Sequence, residues 1–211
     1  MKKVALLWES QSLGLYSNAP FDRLYRGVGH NNGNMAFVYA IANHIDAEVV
    51  FFPWHVRPEL LADIDAIVIP CANQLGKHTD LGKLSVILDK ADKPIIAIGL
   101  GAQANDMETD VEVTPGTLEW VRVIDSKRYG SAPNIYTRGP YTTRQLARLG
   151  IPDSVIGGCP SHFINQSDDL GHRIHRHWSS LEYPRAISVA GGHQAWNKCR
   201  LVEQQLVAMM M

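Results

Sequence analysis

Apolar residues in this chain gather into short continuous runs, separated by stretches in which they recur at helical spacing. Lys3–Trp8, Glu48–Phe52, Ala66–Ile69, Pro94–Ile98, Asn134–Thr137 and Ser154–Ile156 read as strands, because short runs that are apolar at successive positions suit strands covered on both faces. Met35, Val38, Tyr39 and Ala42 place a helix over about Asn34 to Ile45, entered from a polar loop that runs through Asn32. A second helix spans Leu81 to Ala91. Thr114 can cap a third and Pro115 suits its first position, with the helix running to Lys127. A fourth runs from Pro140 to Leu149 and closes at Gly150. Strand and helix alternate, which predicts an α/β fold with a mostly parallel sheet and helices on its faces.

Asn165 to Pro184 is polar and rich in histidine and charge, and reads as a linker. Ala186 to Gly192 then looks like a new strand and turn, and Asn197 to Met211 like an amphipathic helix ending on three methionines without a cap. The expected organisation is one domain over residues 1–182 and, over 183–211, the start of a second α/β domain that breaks off unfinished. There is no internal repeat or low-complexity tract.

Five of the strands and loops end in small, polar, glycine-rich corners: Gly29 to Asn34, Pro70 to Gln74, Gly99 to Gln103, Thr137 to Pro140 and Gly157 to Ser161. Strand carboxyl ends in an open α/β sheet border a crevice. There glycine lets backbone N–H groups approach a ligand, and helices begin with unpaired donors and a partial positive charge. The pattern points to a small anionic ligand.

Charge decides where such an anion can bind. Lys plus Arg total 20 against 21 Asp plus Glu among 211 residues, so no global basic field draws in nucleic acid or an anionic membrane, and the anion site must be local. The opening apolar run ends at Glu9, too early for a signal-peptide core or a membrane span, and a cytoplasmic protein without an integral membrane segment is expected. Cys71, Cys159 and Cys199 are far apart with no C-x-x-C pair, which suits a reducing compartment and argues against a disulfide framework or a thiolate zinc site.

Arg138 is the strongest single candidate. It stands at a strand end directly before Gly139-Pro140, where its guanidinium and the first helical N–H groups can face one carboxylate or phosphate; the plain alternative is a surface ion pair. Asn31, Gly33 and Asn34 precede a helix with no acid in its first turn, which suits an anionic or hydroxyl-rich ligand or simple capping. Gly99-Leu100-Gly101 resembles half of a dinucleotide fingerprint, but the third glycine and the closing acid are missing, so NAD binding is not expected. Gln103 offers donor and acceptors to a sugar or a carboxylate, or satisfies a backbone group.

Ser161 closes the last corner, where Cys159 reads as a small residue packing a tight turn rather than a nucleophile. His172, His175 and His177 form a histidine cluster, but the interleaved Arg173 and Arg176 oppose a cation, and no metal is expected.

Asn31-x-Gly33-Asn34, Gly99-Leu100-Gly101-Ala102-Gln103, Arg138 with Thr142 and Leu146-x-x-x-Gly150-Ile151, and Gly158-Cys159-Pro160-Ser161-x-Phe163 occur in an order and spacing that resembles the polysaccharide pyruvyl transferase family. The resemblance implies a Rossmann-like sheet with flanking helices, similar to the N-terminal half of a two-domain GT-B glycosyltransferase fold. It also implies an enzyme of cell-surface polysaccharide synthesis that transfers pyruvate from phosphoenolpyruvate to a sugar diol as a ketal. The donor is phosphoenolpyruvate, no further cofactor is needed, and the acceptor is a saccharide or a lipid-linked saccharide.

The same resemblance places Asn31, Gly33, Asn34, Gly101, Gln103, Arg138 and Ser161 at the substrates. Gly139 and Thr142 stand where members often carry an acid and a serine. The Arg-x-His element that would supply the acid belongs late in the second domain; Arg173-Ile174-His175 has its letters but lies in the linker and is given no such role. Without that half, the chain by itself is expected to lack turnover. Two rival expectations are a GT-B-type glycosyltransferase using a nucleotide-sugar, and a non-catalytic binding or assembly module that pairs with itself as a homo-oligomer.

Overall fold

A computed structural model describes residues 2–8, 20–27, 31, 33–104, 106–183, 204–205 and 208. The chain divides into two compact units, Met1–Gln166 and Ser167–Met211. The corner residues Gly29, His30 and Asn32, together with Cys199 and the Ala186–Gly192 strand and turn, lie outside the described residues.

In the first unit, six parallel strands form one sheet: β1 (Lys3–Trp8), β2 (Glu48–Pro53), β3 (Ala66–Pro70), β4 (Ile95–Leu100), β5 (Ile135–Thr137) and β6 (Val155–Ile156), in the order β2-β1-β3-β4-β5-β6. All six match the runs read from the sequence. Parallel neighbours cannot be joined by a tight turn, so each crossover needs a helix to carry the chain back.

Alternation along β1 sorts these helices onto two faces. Ala5 and Leu7 belong to the larger core, with Leu84 and Leu88 of α3 (Gly82–Ala91), Trp120 and Ile124 of α4 (Pro115–Ser126) and Leu146 of α5 (Pro140–Arg148). Leu6 and Trp8 point to the opposite face, against Phe37, Val38 and Ile41 of α2 (Gly33–Asn43). Strand order therefore reverses between β1 and β3, from which successive connections wind to opposite sides of the sheet. In open α/β sheets the ligand crevice lies at the carboxyl ends of the strands beside that reversal.

The caps follow the local chemistry. Thr114 Oγ1 accepts from Thr117 N at 3.2 Å, and Pro115 occupies the first turn of α4. At the other end of α5, Gly150 takes φ +89°, the left-handed conformation that lets the chain leave a helix.

Three details differ from expectation. The polar loop before α2 contains a short helix, α1 (Phe21–Gly27). The inward face of α2 is Phe37, Val38, Ala40 and Ile41, whereas Tyr39 is exposed; α2 is apolar nearly all round, so periodicity alone could not choose its buried stripe. In the second unit, the stretch read as a linker contains α6 (Leu170–Ser179). Leu170, Ile174 and Trp178 recur there every fourth residue, a helical signal that the surrounding charge obscured. Among the described residues no helix is long and apolar enough to cross a membrane.

Candidate functional site

The corners that follow β3, β4 and β5 converge on Arg138. Its backbone N–H donates to Leu100 O at 2.8 Å, which sets the residue at the end of the sheet. From there Nε donates to Gly99 O at 2.8 Å and Nη2 to Cys71 O at 3.2 Å. The guanidinium also lies 5.4 Å from the centroid of the Phe37 ring on α2, a cation–π contact. One side chain thus ties the ends of β3 and β4 to α2 across the strand-order reversal; it is half-buried and, among the described residues, makes no ion pair. Among the described residues, Nη1 has no hydrogen-bond partner.

Directly after Arg138, α5 begins with Pro140, with no side-chain cap and no acidic residue in its first turn. Its first N–H groups therefore keep their partial positive charge for an anion. Thr142 in that turn faces back to the sheet, where its Oγ1 accepts from Ala102 N at 3.0 Å.

Gly99 and Gly101 let the β3 and β4 corners close up. At Gly99, with φ +82°, a Cβ would lie 2.7 Å from Pro160 Cδ and 3.2 Å from Cys71 O, so the corner after β6 is pressed onto the corner after β4. Gly101 donates to Ala72 O at 2.7 Å and accepts from Leu75 N at 3.1 Å. A Cβ there would fall 2.6 Å from Asn73 Oδ1 and 3.5 Å from Arg138 Cδ.

The remaining residues selected from the sequence sit at the same carboxyl edge in different states. Asn31 Oδ1 accepts from Gly33 N at 3.0 Å and its carbonyl accepts from Asn34 N at 3.0 Å, which makes Asn31 the cap of α2. Phe37, one turn further along α2, is the link from that helix end to Arg138. Gln103 is exposed, with its backbone N–H on Leu75 O at 2.8 Å. Ser161 Oγ lies 3.2 Å from Cys159 Sγ in the short 3₁₀ turn Pro160–Phe163. No hydrogen bond among the described residues joins the Gln103 or Ser161 side chain to Arg138. Among the described residues, no group of three or more His, Cys, Asp or Glu side chains could hold a metal ion.

Reading the sequence missed Phe37, Cys71 and Gly99 as parts of this constellation. Glycine after a buried strand signalled a tight corner, but neither a phenylalanine in an apolar helix nor a carbonyl acceptor carries a sequence signature. A cavity of about 290 Å³ borders the corners and is lined mainly by apolar groups, among them Ile41, Ile98, Tyr136 and Phe163. Uncompensated charge is costly in such surroundings, so this cavity does not suit an anion.

Cys71 is fully buried, and burial pushes its thiol from 9.0 up to about 12 despite the nearby Arg138 charge. Its thiol should stay unmodified by an alkylating reagent at about pH 8, where only thiolate reacts, and become labelled on unfolding. Because the folded value lies above the unfolded one, its stabilising contribution is complete below pH 9.0. It is lost as the pH rises toward 12. Peptide mapping after alkylation and alkaline denaturation curves check both statements.

Neither curated proteins nor solved structures offer a match to the chain. The family model described as polysaccharide pyruvyl transferase, however, matches residues 12–199, which takes in α2, every corner described above and β3 to β6. By that match over most of its length, together with the parallel α/β sheet that carries the corners, the chain belongs to the polysaccharide pyruvyl transferase family.

Proposed function

We propose that this chain binds phosphoenolpyruvate at the carboxyl edge of β3, β4 and β5, as the donor half of an enzyme that places pyruvate on a saccharide diol as a ketal. The observation that carries the reading is Arg138. It is locked by two carbonyls and a ring, and in the chain it directly precedes the uncapped start of α5. A fixed guanidinium and, separately, unpaired helix N–H groups each suit a carboxylate or phosphate. Gly101 shapes the crevice by leaving the space that Asn73 Oδ1 fills, and Asn31, Gly33, Asn34, Gln103 and Ser161 supply polar groups around the donor. The half-domain of a GT-B-like enzyme is the architecture this implies.

In the reaction, a proton is added to the enol methylene of phosphoenolpyruvate, and one sugar hydroxyl attacks the carbon that becomes electrophilic. Phosphate leaves with the C–O bonding pair, and the second hydroxyl closes the ketal, so that donor and diol become ketal and inorganic phosphate. Arg138 and the α5 terminus would hold the negative charge of the donor as phosphate departs.

Calorimetric titration of the full chain tests the reading. Phosphoenolpyruvate is expected to bind with saturable heat, whereas a nucleoside diphosphate is not. Heat from the nucleotide and none from phosphoenolpyruvate would reverse the assignment in favour of a nucleotide-sugar donor.

A further inference from the structure

We propose that Asn73, seated on Gly101 beside Arg138, is a further contact to the anion in this crevice. This rests on the phosphoenolpyruvate reading above and extends it to a residue outside the corner glycines and the arginine.

The backbone sets Asn73 apart from an ordinary loop residue. β3 ends at Pro70, and parallel pairing with the β4 side resumes at the Leu75–Ala102 bridge. Of the four residues between these points, Cys71 N still donates to Ile98 O and Ala72 O accepts from Gly101 N, so among the described residues only the Asn73 and Gln74 backbones make no bond to the β4 side. Both ends of that stretch are held by one residue, since Leu75 N donates to Gly101 O. Gln74 turns inward, only 7% exposed, and its Oε1 accepts from Ala72 N at 2.5 Å. Asn73 turns outward and is exposed.

Its side chain is placed as well as its backbone. Asn73 Oδ1 lies where a Cβ on Gly101 would be, 2.6 Å from that point, and Arg138 Cδ lies 3.5 Å from the same point. The Nδ2 end lies further from Gly101 than either. Among the described residues the Asn73 carboxamide has no hydrogen-bond partner. Its donor is therefore neither capping nor bracing the loop, which is held by backbone bonds and by Gln74. An exposed amide with an unused N–H, whose oxygen sits over the same glycine as the Arg138 side chain at the strand flanking the reversal of strand order, can donate to an oxygen of the anion that the cation attracts. It also accounts for Gly101, since any larger residue there would evict the carboxamide.

Calorimetry of the full chain with phosphoenolpyruvate provides the test. N73A is expected to weaken binding about tenfold, the effect of losing one hydrogen bond to a charged group, with an unchanged melting temperature. N73D should weaken it further, because a carboxylate repels the anion. G101A should weaken binding as N73A does, and the double variant G101A/N73A no more than G101A alone, since both remove the same contact. Wild-type affinity in N73A, or losses for N73A and G101A that multiply in the double variant, would overturn the assignment of Asn73 and leave the donor reading intact. A wild-type chain that binds no phosphoenolpyruvate would overturn both.

Discussion

Replacing Arg138 by alanine is expected to abolish phosphoenolpyruvate binding in calorimetry and to lower the stability of the first unit by about 3 kcal/mol in denaturant unfolding, a magnitude set by the loss of hydrogen bonds from a charged donor. Two carbonyls in partly buried corners, Gly99 O and Cys71 O, lose their partner together. Phe37, itself buried, also loses the cation over its ring, a further effect of roughly 0.5–2 kcal/mol. R138K separates the two roles. A lysine ammonium keeps the charge, but it lacks the planar fork that reaches both carbonyls while presenting further donors. It should recover part of the lost stability and little of the lost affinity. An R138A variant that unfolds like the wild type would show that the guanidinium does not hold the corners together, and one that binds phosphoenolpyruvate normally would remove the donor site.

The second large effect is expected at Gly99. Alanine there must adopt φ +82° and place its Cβ 2.7 Å from Pro160 Cδ and 3.2 Å from Cys71 O. The left-handed conformation alone costs about 1–2 kcal/mol for a side-chain-bearing residue, and overpacking adds about 1–3 kcal/mol. G99A should thus be destabilised by about 2–5 kcal/mol. Because Gly99 O is one of the two carbonyls that aim Arg138, binding should weaken even under conditions where the variant remains folded. Unfolding curves paired with calorimetry below the transition measure both effects. A G99A protein as stable as the wild type would mean that the corners after β4 and β6 are not pressed together.

Much of this architecture was legible in the chain because it depends on local pattern. Short apolar runs such as Lys3–Trp8 and Pro94–Ile98 suit strands covered on both faces, and their alternation with helical segments gives a mostly parallel sheet. The start of α4 at Thr114-Pro115 and the end of α5 at Gly150 were equally local, since caps answer to the donors and acceptors of a single turn. Arg138 was marked by its place between a strand and a helix-starting proline. Its partners were not: Cys71 and Gly99 are distant in sequence, and they act through carbonyls, which every residue has.

Asn73 shows the same boundary. Within Pro70 to Gln74 the sequence offers two adjacent amide side chains of similar chemistry, Asn73 and Gln74, and no rule of spacing separates them. Pairing with Gly101 sends Gln74 inward to Ala72 N and leaves Asn73 outward beside the arginine.

The sequence by itself determined that this protein is a parallel α/β sheet with glycine-rich strand ends, because hydrophobic period, caps and glycine placement are local properties. Only the tertiary structure decided which strand ends meet. Strand order β2-β1-β3-β4-β5-β6 sets the corners after β3, β4 and β5 side by side and brings Phe37 beneath Arg138. That adjacency arises from packing two helical layers on one sheet, a balance over the whole core that no single segment encodes.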